Sequence, residues 1–180
     1  MNPRLYSMAK GDTFFLRTKL TSSGTNYVSD EIDISAYTNP SEGRVLVVDR
    51  GFISFGTDGN GPIAQADIGS GAASKAIGAQ ACSEKQTELV EMTDNSLFMK
   101  VNLYAATVTG PHFSMISETN ALNPAEYSGG FIVPTDAIHC GIDTGSAWAG
   151  ELDVGFLFEV HTEKLSLRRI QELLVSLTAN

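Results

Sequence analysis

The sequence predicts an all-β protein, an eight-stranded antiparallel jelly-roll sandwich or barrel with a short C-terminal amphipathic helix. Three observations lead to this fold class. Residues 150–163 alternate between apolar and other residues, and eight or nine segments with strand-like patterning are separated by turn residues. Strands this numerous at this spacing indicate a sandwich or barrel and not βαβ units.

The segment at residues 150–163 is the longest of the predicted strands. Its large apolar residues stand at every second position: Leu152, Val154, Phe156, Phe158 and Val160. A period of two places these side chains on one face of a strand and the intervening residues on the other face. Such a row is enough to anchor a sheet, so we expect the core to be built on this strand.

The other strands follow from the same alternation and from their content of β-branched and aromatic residues. We expect them at residues 12–21, 27–36, 43–56, 87–92, 96–108, 112–116, 131–135 and 137–142. Within the third of these segments, Asp49, Arg50 and Gly51 indicate either a β-bulge or two short strands.

Residues 63–85 do not fit this pattern. Ala, Gly, Ser and Gln dominate the segment, which has neither a helical stripe nor an alternation of large residues. We therefore predict a long loop of small residues, with at most a short helix near residues 72–81. Loops of this length inside a compact domain commonly serve as functional or contact surfaces.

A chain of 180 residues is most simply one domain. We divide it into an N-terminal arm at residues 1–11, a single jelly-roll domain at residues 12–165 and a C-terminal helix at residues 166–180.

The terminal helix begins after Ser166, which is its predicted N-cap. Its apolar stripe consists of Leu167, Ile170, Leu173, Leu174 and Leu177. A helix of about fifteen residues is too short to be stable alone and needs a surface to lie on. We expect it to pack over an edge of its own barrel; a helix that binds a partner or a membrane surface is the alternative.

The composition argues against nucleic-acid binding. The formal net charge is −9 and the sequence pI is about 4.7, whereas phosphate backbones attract basic surfaces. Charged residues make up only 18% of the chain, below the usual quarter of a soluble protein. A lightly charged surface fits a protein that buries much of its exterior against neighbours. It fits equally a β-rich domain with polar loops.

Targeting and cysteine content point to a protein made in the cytoplasm. The N-terminus has no apolar core of signal-peptide length, and the chain contains no run of 18 apolar residues. Cys82 and Cys140 are the only cysteines, and whether they form a disulfide stays open.

No catalytic or metal-binding constellation is visible. His112, His139 and His161 are isolated from one another and from metal-ligand spacings. Short matches to a calcium loop at residues 58–62 and to a dinucleotide fingerprint at residues 69–74 lack their companion residues. We therefore expect a non-enzymatic protein with no catalytic residue, cofactor or bound metal.

An all-β domain with a long final strand, a terminal helix, little surface charge and no catalytic set resembles a known family. It is similar to the small single-jelly-roll major capsid proteins of icosahedral viruses with an internal membrane. The resemblance covers residues 12–165 in architecture and size. It implies a structural virion protein, made in the host cytoplasm, that assembles with copies of itself into an icosahedral shell. A second, larger capsid protein is a further implied partner; a small-molecule substrate is not.

The resemblance also suggests where neighbours touch. The barrel would stand upright in the shell, with contacts from the loop at residues 63–85, the N-terminal arm and the terminal helix. Arg4, Lys10, Arg168 and Arg169 place positive charge at the termini, where it would face an anionic membrane or genome.

Two other classes of protein remain open. A phage tail, neck or decoration protein is also β-rich, oligomeric and non-enzymatic. A β-sandwich carbohydrate-binding module would need exposed aromatic residues along one face, and aromatic residues make up only 8% of this chain.

Overall fold

The computed structural model describes residues 12–59, 61–70, 72–108, 112–117 and 122–177. The strands are Phe14–Thr21 (β1), Val28–Asp33 (β2), Arg44–Thr57 (β3), Ala73–Cys82 (β4), Leu97–Thr107 (β5), Phe113–Ser117 (β6), Phe131–Val133 (β7), Ala137–Asp143 (β8) and Leu152–Lys164 (β9). The helices are Gln65–Ile68 (α1) and Leu167–Leu177 (α2), and single 3-10 turns occupy Pro40–Glu42 and Pro124–Glu126.

The strands form two antiparallel sheets. The first sheet has the order β1-β9-β3-β7 and the second has the order β2-β8-β4-β5-β6. Without β6, each sheet has four strands in jelly-roll order, with the first and last strands of the chain side by side. The predicted jelly-roll fold class and its short terminal helix are confirmed. The described residues form nine strands where eight were expected, and the extra strand, β6, lies at the edge of the second sheet.

Strand β9 is the centre of the first sheet, as its alternation predicts. It pairs with β1 on one side and with β3 on the other along almost its whole length. Its five alternate apolar residues are all at most 2% exposed. Burying each such side chain stabilises the fold by about 1.5–3 kcal/mol, so this row contributes strongly to the stability of the fold.

The interruption predicted in β3 is a β-bulge. The register against β9 shifts between Val48 and Arg50, so Asp49 is the additional residue. The strand is otherwise continuous, and the alternative of two short strands is wrong.

The long loop predicted at residues 63–85 is wrong, because this segment contains α1 and β4. Strand β4 lies in the middle of the second sheet, between β8 and β5. It lacks alternation because both of its faces are buried. Ala79 and Ala81 point into the core, while Gly78 and Gln80 point outward beneath residues 84–92. Small residues are required where backbone or side chains approach closely on both sides.

The strand predicted at residues 87–92 is also wrong, because this segment is an irregular cover over β4. Its backbone groups bond to side chains and not to a neighbouring strand. Val90 N donates to Gln80 Oε1 over 2.8 Å, and Gln80 Nε2 donates to the carbonyl of Glu88 over 2.8 Å. Lys100 Nζ donates to the carbonyl of Val90 over 2.7 Å.

Helix α2 packs on its own domain. The backbone N–H of Arg169 donates to Ser166 Oγ over 3.3 Å, which confirms the predicted N-cap. Ile170 and Leu177 are buried, and Asn95 Nδ2 donates to the carbonyl of Ser176 over 2.8 Å. Two residues of the predicted stripe therefore pack on the barrel, as expected, whereas Leu167 and Leu174 of the same stripe are exposed.

The position of α2 follows from its two ends. It starts where β9 ends, and it borders a groove whose opposite wall includes Phe131 and Ile132 of β7. On β3, which lies between β9 and β7, Val45 and Val47 are fully buried without belonging to the main core cluster.

The second sheet extends beyond the first at one edge. Strand β7, the last strand of the first sheet, packs on β5, where the rings of Phe98 and Phe131 stack with centroids 4.8 Å apart. Strand β6 lies one position further out. Its described side chains, residues 113–116, are all exposed because no strand of the first sheet faces them.

Asp153 anchors the outer face of the first sheet. Its side chain is 6% exposed and accepts hydrogen bonds from Lys19 Nζ over 2.7 Å and from Thr21 Oγ1 over 2.6 Å. These hydrogen bonds, that of Lys19 foremost, hold the pKa of Asp153 below its ordinary value. A carboxyl whose pKa falls on folding stabilises the native state above its unfolded pKa, and that stability disappears as the pH falls through the folded pKa.

We expect Asp153→Asn to lower the free energy of unfolding at pH 7 by about 1–2 kcal/mol, since charge-assisted hydrogen bonds are lost. The difference from the wild type should shrink as the pH falls below about 4, because the wild-type carboxyl then takes up a proton. Urea unfolding between pH 2.5 and pH 7 measures both effects, with Asp12→Asn as an exposed control. A deficit that stays constant across this range would contradict the assignment.

The two cysteines are free thiols in the core of the second sheet. Cys82 and Cys140 are both at most 1% exposed. Burial raises the pKa of Cys82 to about 12 and also raises the pKa of Cys140. Because the thiolate is the reactive form, neither group reacts readily in the native state.

We expect a disulfide-exchange reagent at pH 8 to titrate no thiol in the folded protein and two thiols per chain after denaturation. The burst of colour on addition of denaturant measures this directly. Fewer than two thiols in the denatured protein would show that the cysteines are oxidised, contrary to the structure.

Candidate interaction surfaces

The most convergent group of ionisable side chains that we find among the described residues is centred on His161. Its Nδ1 lies 2.7 Å from Asp49 Oδ2, and its Nε2 lies 3.2 Å from Glu163 Oε1. The residue is only 2% exposed, and both ring nitrogens already face carboxylates. The imidazole therefore links the bulge of β3 to β9. The i, i+2 spacing of His161 and Glu163 is visible in the sequence, whereas the partnership with Asp49 depends on strand pairing.

The other two histidines lie elsewhere. His139 stands on β8, with its Nδ1 3.8 Å from Glu31 Oε2, and burial lowers its pKa while Glu31 acts in the opposite direction. His112 is exposed just before β6. The structure therefore does not bring the three histidines together.

Two searches of the described residues gave no result. They contain no group of three or more His, Cys, Asp or Glu side chains arranged to hold a metal ion. None of the helices in the described part of the chain has the length and hydropathy needed to cross a bilayer.

The outer face of the first sheet carries an exposed aromatic surface. Phe15 on β1 is 51% exposed and Phe52 on β3 is 50% exposed. Leu157 of β9 lies between them, because Arg17, Leu157 and Phe52 stand opposite one another across the three strands. The guanidinium of Arg17 lies 5.6 Å from the centroid of the Phe15 ring. We call these four residues, Phe15, Arg17, Leu157 and Phe52, the face patch.

A polar groove runs beside the face patch. Phe52 forms part of its wall, together with Asp49, Arg50, Asn123, Tyr127 and Glu159. Arg50 Nε lies 3.8 Å from Glu159 Oε2, and Asn123 Nδ2 donates to the carbonyl of Gly51 over 2.9 Å. An exposed ring next to amide and charged groups has the composition of a carbohydrate-binding site, in which the ring stacks on the sugar and the polar groups bond its hydroxyls.

The extended edge of the second sheet carries a second exposed apolar surface. We call it the overhang, and it consists of Tyr104, Val108, Phe113, Met115 and Ile116, which are between 41% and 67% exposed. Tyr104 stands opposite Ile116 on the outer face, and Phe113 and Met115 point to the side where the first sheet has ended. A contiguous apolar surface of this kind marks an interaction site on a soluble protein.

The overhang continues into a shallow groove lined mostly by small residues. Its walls include Ser74 and Ala76 of β4, Ala106 of β5 and Ser114 of β6. Lys75 also lines the groove and directs its ammonium group to the carbonyl of Ala147 over 2.5 Å. Among the described residues, the groove beside β6 therefore has one charged side chain, which donates to the backbone.

The predicted contact segments have different outcomes. Within residues 63–85 the predicted loop is wrong where β4 stands, and residues 77–82 of that strand are buried; a contact role for the exposed residues of this segment stays a prediction. Residues 1–11, with Arg4 and Lys10, lie outside the described residues. On α2, Arg168 and Arg169 both pair with Glu172, at 3.1 Å and 3.5 Å, which offsets part of the positive charge predicted there. Leu167, Leu174 and Val175 remain exposed on this helix.

No family model and no curated protein matches the chain. Among solved structures, it is similar to VP1 of the Trichodysplasia spinulosa-associated polyomavirus in complex with GM1 oligosaccharide, at 6% identity and a TM-score of 0.47, over 88% of this chain and 99% of that chain. The unassembled VP1 pentamer of KI polyomavirus aligns at 8% identity and a TM-score of 0.45, over 86% and 95%. The desmodium yellow mottle tymovirus structure aligns at 10% identity and a TM-score of 0.30, over 92% and 97%. These neighbours are viral capsid proteins with jelly-roll folds.

Proposed function

We propose that the chain is a structural virion protein, a major capsid subunit that assembles with copies of itself into an icosahedral shell. The observation that supports this most is the placement of exposed apolar residues on two separate sides of the sandwich. The face patch lies toward the β1 edge of the first sheet, whereas the overhang lies at the opposite edge of the second sheet. A module that binds one partner needs one such surface.

Two surfaces are what a shell requires. One kind of contact makes a closed ring or a symmetric pair, and a second kind must join these units into a larger assembly. The face patch combines two phenylalanines and an arginine, residue types that are enriched at the core of protein interfaces. The overhang is apolar and uncharged, as the centre of an interface is.

The proposal includes a non-enzymatic role. In the most convergent ionisable group described above, His161 is buried and both of its ring nitrogens lie within 3.2 Å of carboxylate oxygens. We also propose that the protein is made in the host cytoplasm and becomes part of the virion. The proposed virus has an internal membrane and a second, larger capsid protein. The single jelly roll of this chain supports that setting.

We expect purified protein to form oligomers that grow with concentration, seen by mass photometry, and capsomers or shells in negative-stain images. The double substitution Phe15→Ser with Phe52→Ser should abolish the largest species while leaving the fold intact, because both side chains are half exposed. Met92→Ser, which changes another exposed apolar residue, is the matched control.

A wild-type protein that stays monomeric at all concentrations and forms no particles would contradict the capsid proposal. Uniform rings or tubes without shells would favour a phage tail, neck or decoration protein. Equal assembly of the double variant and the control would exclude the face patch as a contact.

Carbohydrate binding remains a second candidate because Phe52 is exposed beside the polar groove. A site in this groove predicts saturable binding on a glycan array that Phe52→Ala weakens by about tenfold or more, since a stacked ring is lost. Phe15→Ala is the matched control, because that ring is equally exposed on the same sheet face but does not line the groove. Binding that is absent, or that both variants retain, would exclude this site.

A further inference from the structure

We propose that β6 is the strand through which two copies of this chain pair edge to edge, so that their five-stranded sheets join into one continuous antiparallel sheet. The inference rests on the proposed self-assembly and identifies one of its contacts.

The first argument is the unpaired backbone of β6. The strand pairs regularly with β5 from Phe113 opposite Thr107 to Ser117 opposite Leu103, without a bulge. Among the described residues, no strand pairs with its other edge. A row of unpaired N–H and C=O groups on a regular strand is a template for another strand.

The second argument comes from the other three edges of the two sheets, which all carry protection against such pairing. Strand β1 presents Arg17 and Lys19, and β2 presents acidic residues at Asp30, Glu31 and Asp33. Strand β7 is only three residues long and is followed by Pro134. Strand β6, with the sequence FSMIS, has no charge, no proline and no bulge. It is the one edge without these devices.

The third argument is that both faces of the strand are apolar and exposed. Ile116 and Tyr104 cover the outer face, and Phe113 and Met115 lie on the face that the first sheet does not reach. A lone added strand would satisfy the backbone of β6 but would leave these side chains in water. A second overhang brings its own apolar residues to both faces at once.

Charge identifies the second copy as the occupant. Residues 101–117 contain no Asp, Glu, Lys or Arg, although charged residues make up 18% of the chain. Two copies with a formal charge of −9 each repel one another, and the repulsion is smallest where an uncharged surface is turned toward the partner. A basic or acidic partner would find no complementary charge on these residues. A symmetric pair of identical edges is also the commonest form of self-association.

The test separates edge pairing from shell formation by using the variant Phe15→Ser with Phe52→Ser as the background. In this background we expect a dimer in sedimentation velocity. Adding Met115→Lys should weaken the dimer by about tenfold or more, because a charged side chain on an edge strand opposes pairing. Met92→Lys in the same background is the matched control, since Met92 is exposed in the irregular segment over β4 and does not belong to β5 or β6. Circular dichroism and thermal melting check that each variant is folded.

Hydrogen exchange supplies a second readout. The amides of residues 113–117 should exchange more slowly as the protein concentration rises through the dimer range, because their free edge becomes bonded. Protection that does not change with concentration would overturn the proposal, since a segment of the same chain would then cover the edge. A dimer without protection at β6 would also overturn it.

The outcomes distinguish the two proposals. Edge pairing is wrong if the background variant is monomeric, or if it is a dimer that Met115→Lys does not weaken. If the wild type nevertheless forms shells, the capsid proposal stands. If the background variant is a dimer that Met115→Lys dissociates, and the wild type never exceeds a dimer, edge pairing is right and the shell is wrong.

Discussion

The fold depends on the burial of one row of apolar side chains along β9. This strand lies between β1 and β3, and its row faces the second sheet across the core. Phe158 carries the contact between layers, with its ring centroid 5.9 Å from that of Phe98 on β5. The opposite face of β9 holds two buried polar residues, Asp153 and His161, and each is bonded to side chains of a neighbouring strand. Backbone pairing with β1 and β3, together with the side-chain bonds of Asp153 to β1 and of His161 to β3, holds this row in register.

The second sheet achieves its packing with small residues. Strand β4 is covered on its outer side by residues 84–92, and Gln80 bonds their backbone from a fully buried position. A larger side chain at Gly78 would collide with Leu89. The molecule thus has three layers at this point: the first sheet, the second sheet and residues 84–92. Hydrogen bonds from the buried Gln80 amide satisfy backbone groups of this outer segment, which has no neighbouring strand to pair with among the described residues.

The edges of the two sheets differ in charge and length, and this difference connects the fold to the proposed assembly. The edges at β1, β2 and β7 are charged or short, whereas the edge at β6 is neutral, regular and apolar on both faces. The face patch and the overhang lie on opposite sides of the sandwich. A protein with these two surfaces can contact neighbours in more than one direction, as the proposed shell requires.

The sequence by itself determined the features that depend on local patterning. These are the row on β9, most of the strands, the interruption in β3, the cap at Ser166 and the apolar stripe of α2. Only the tertiary structure decided the rest, because contacts between distant residues are not encoded in periodicity. Burial on both faces made a strand of β4, and side-chain bonds from Gln80 and Lys100 prevented one at residues 87–92. Strand register placed Phe15 and Phe52 on either side of β9 and brought Asp49 beside His161. The uncharged run at residues 101–117 is visible in the sequence, but the exposure of residues 113–116 follows from the first sheet ending one strand earlier than the second.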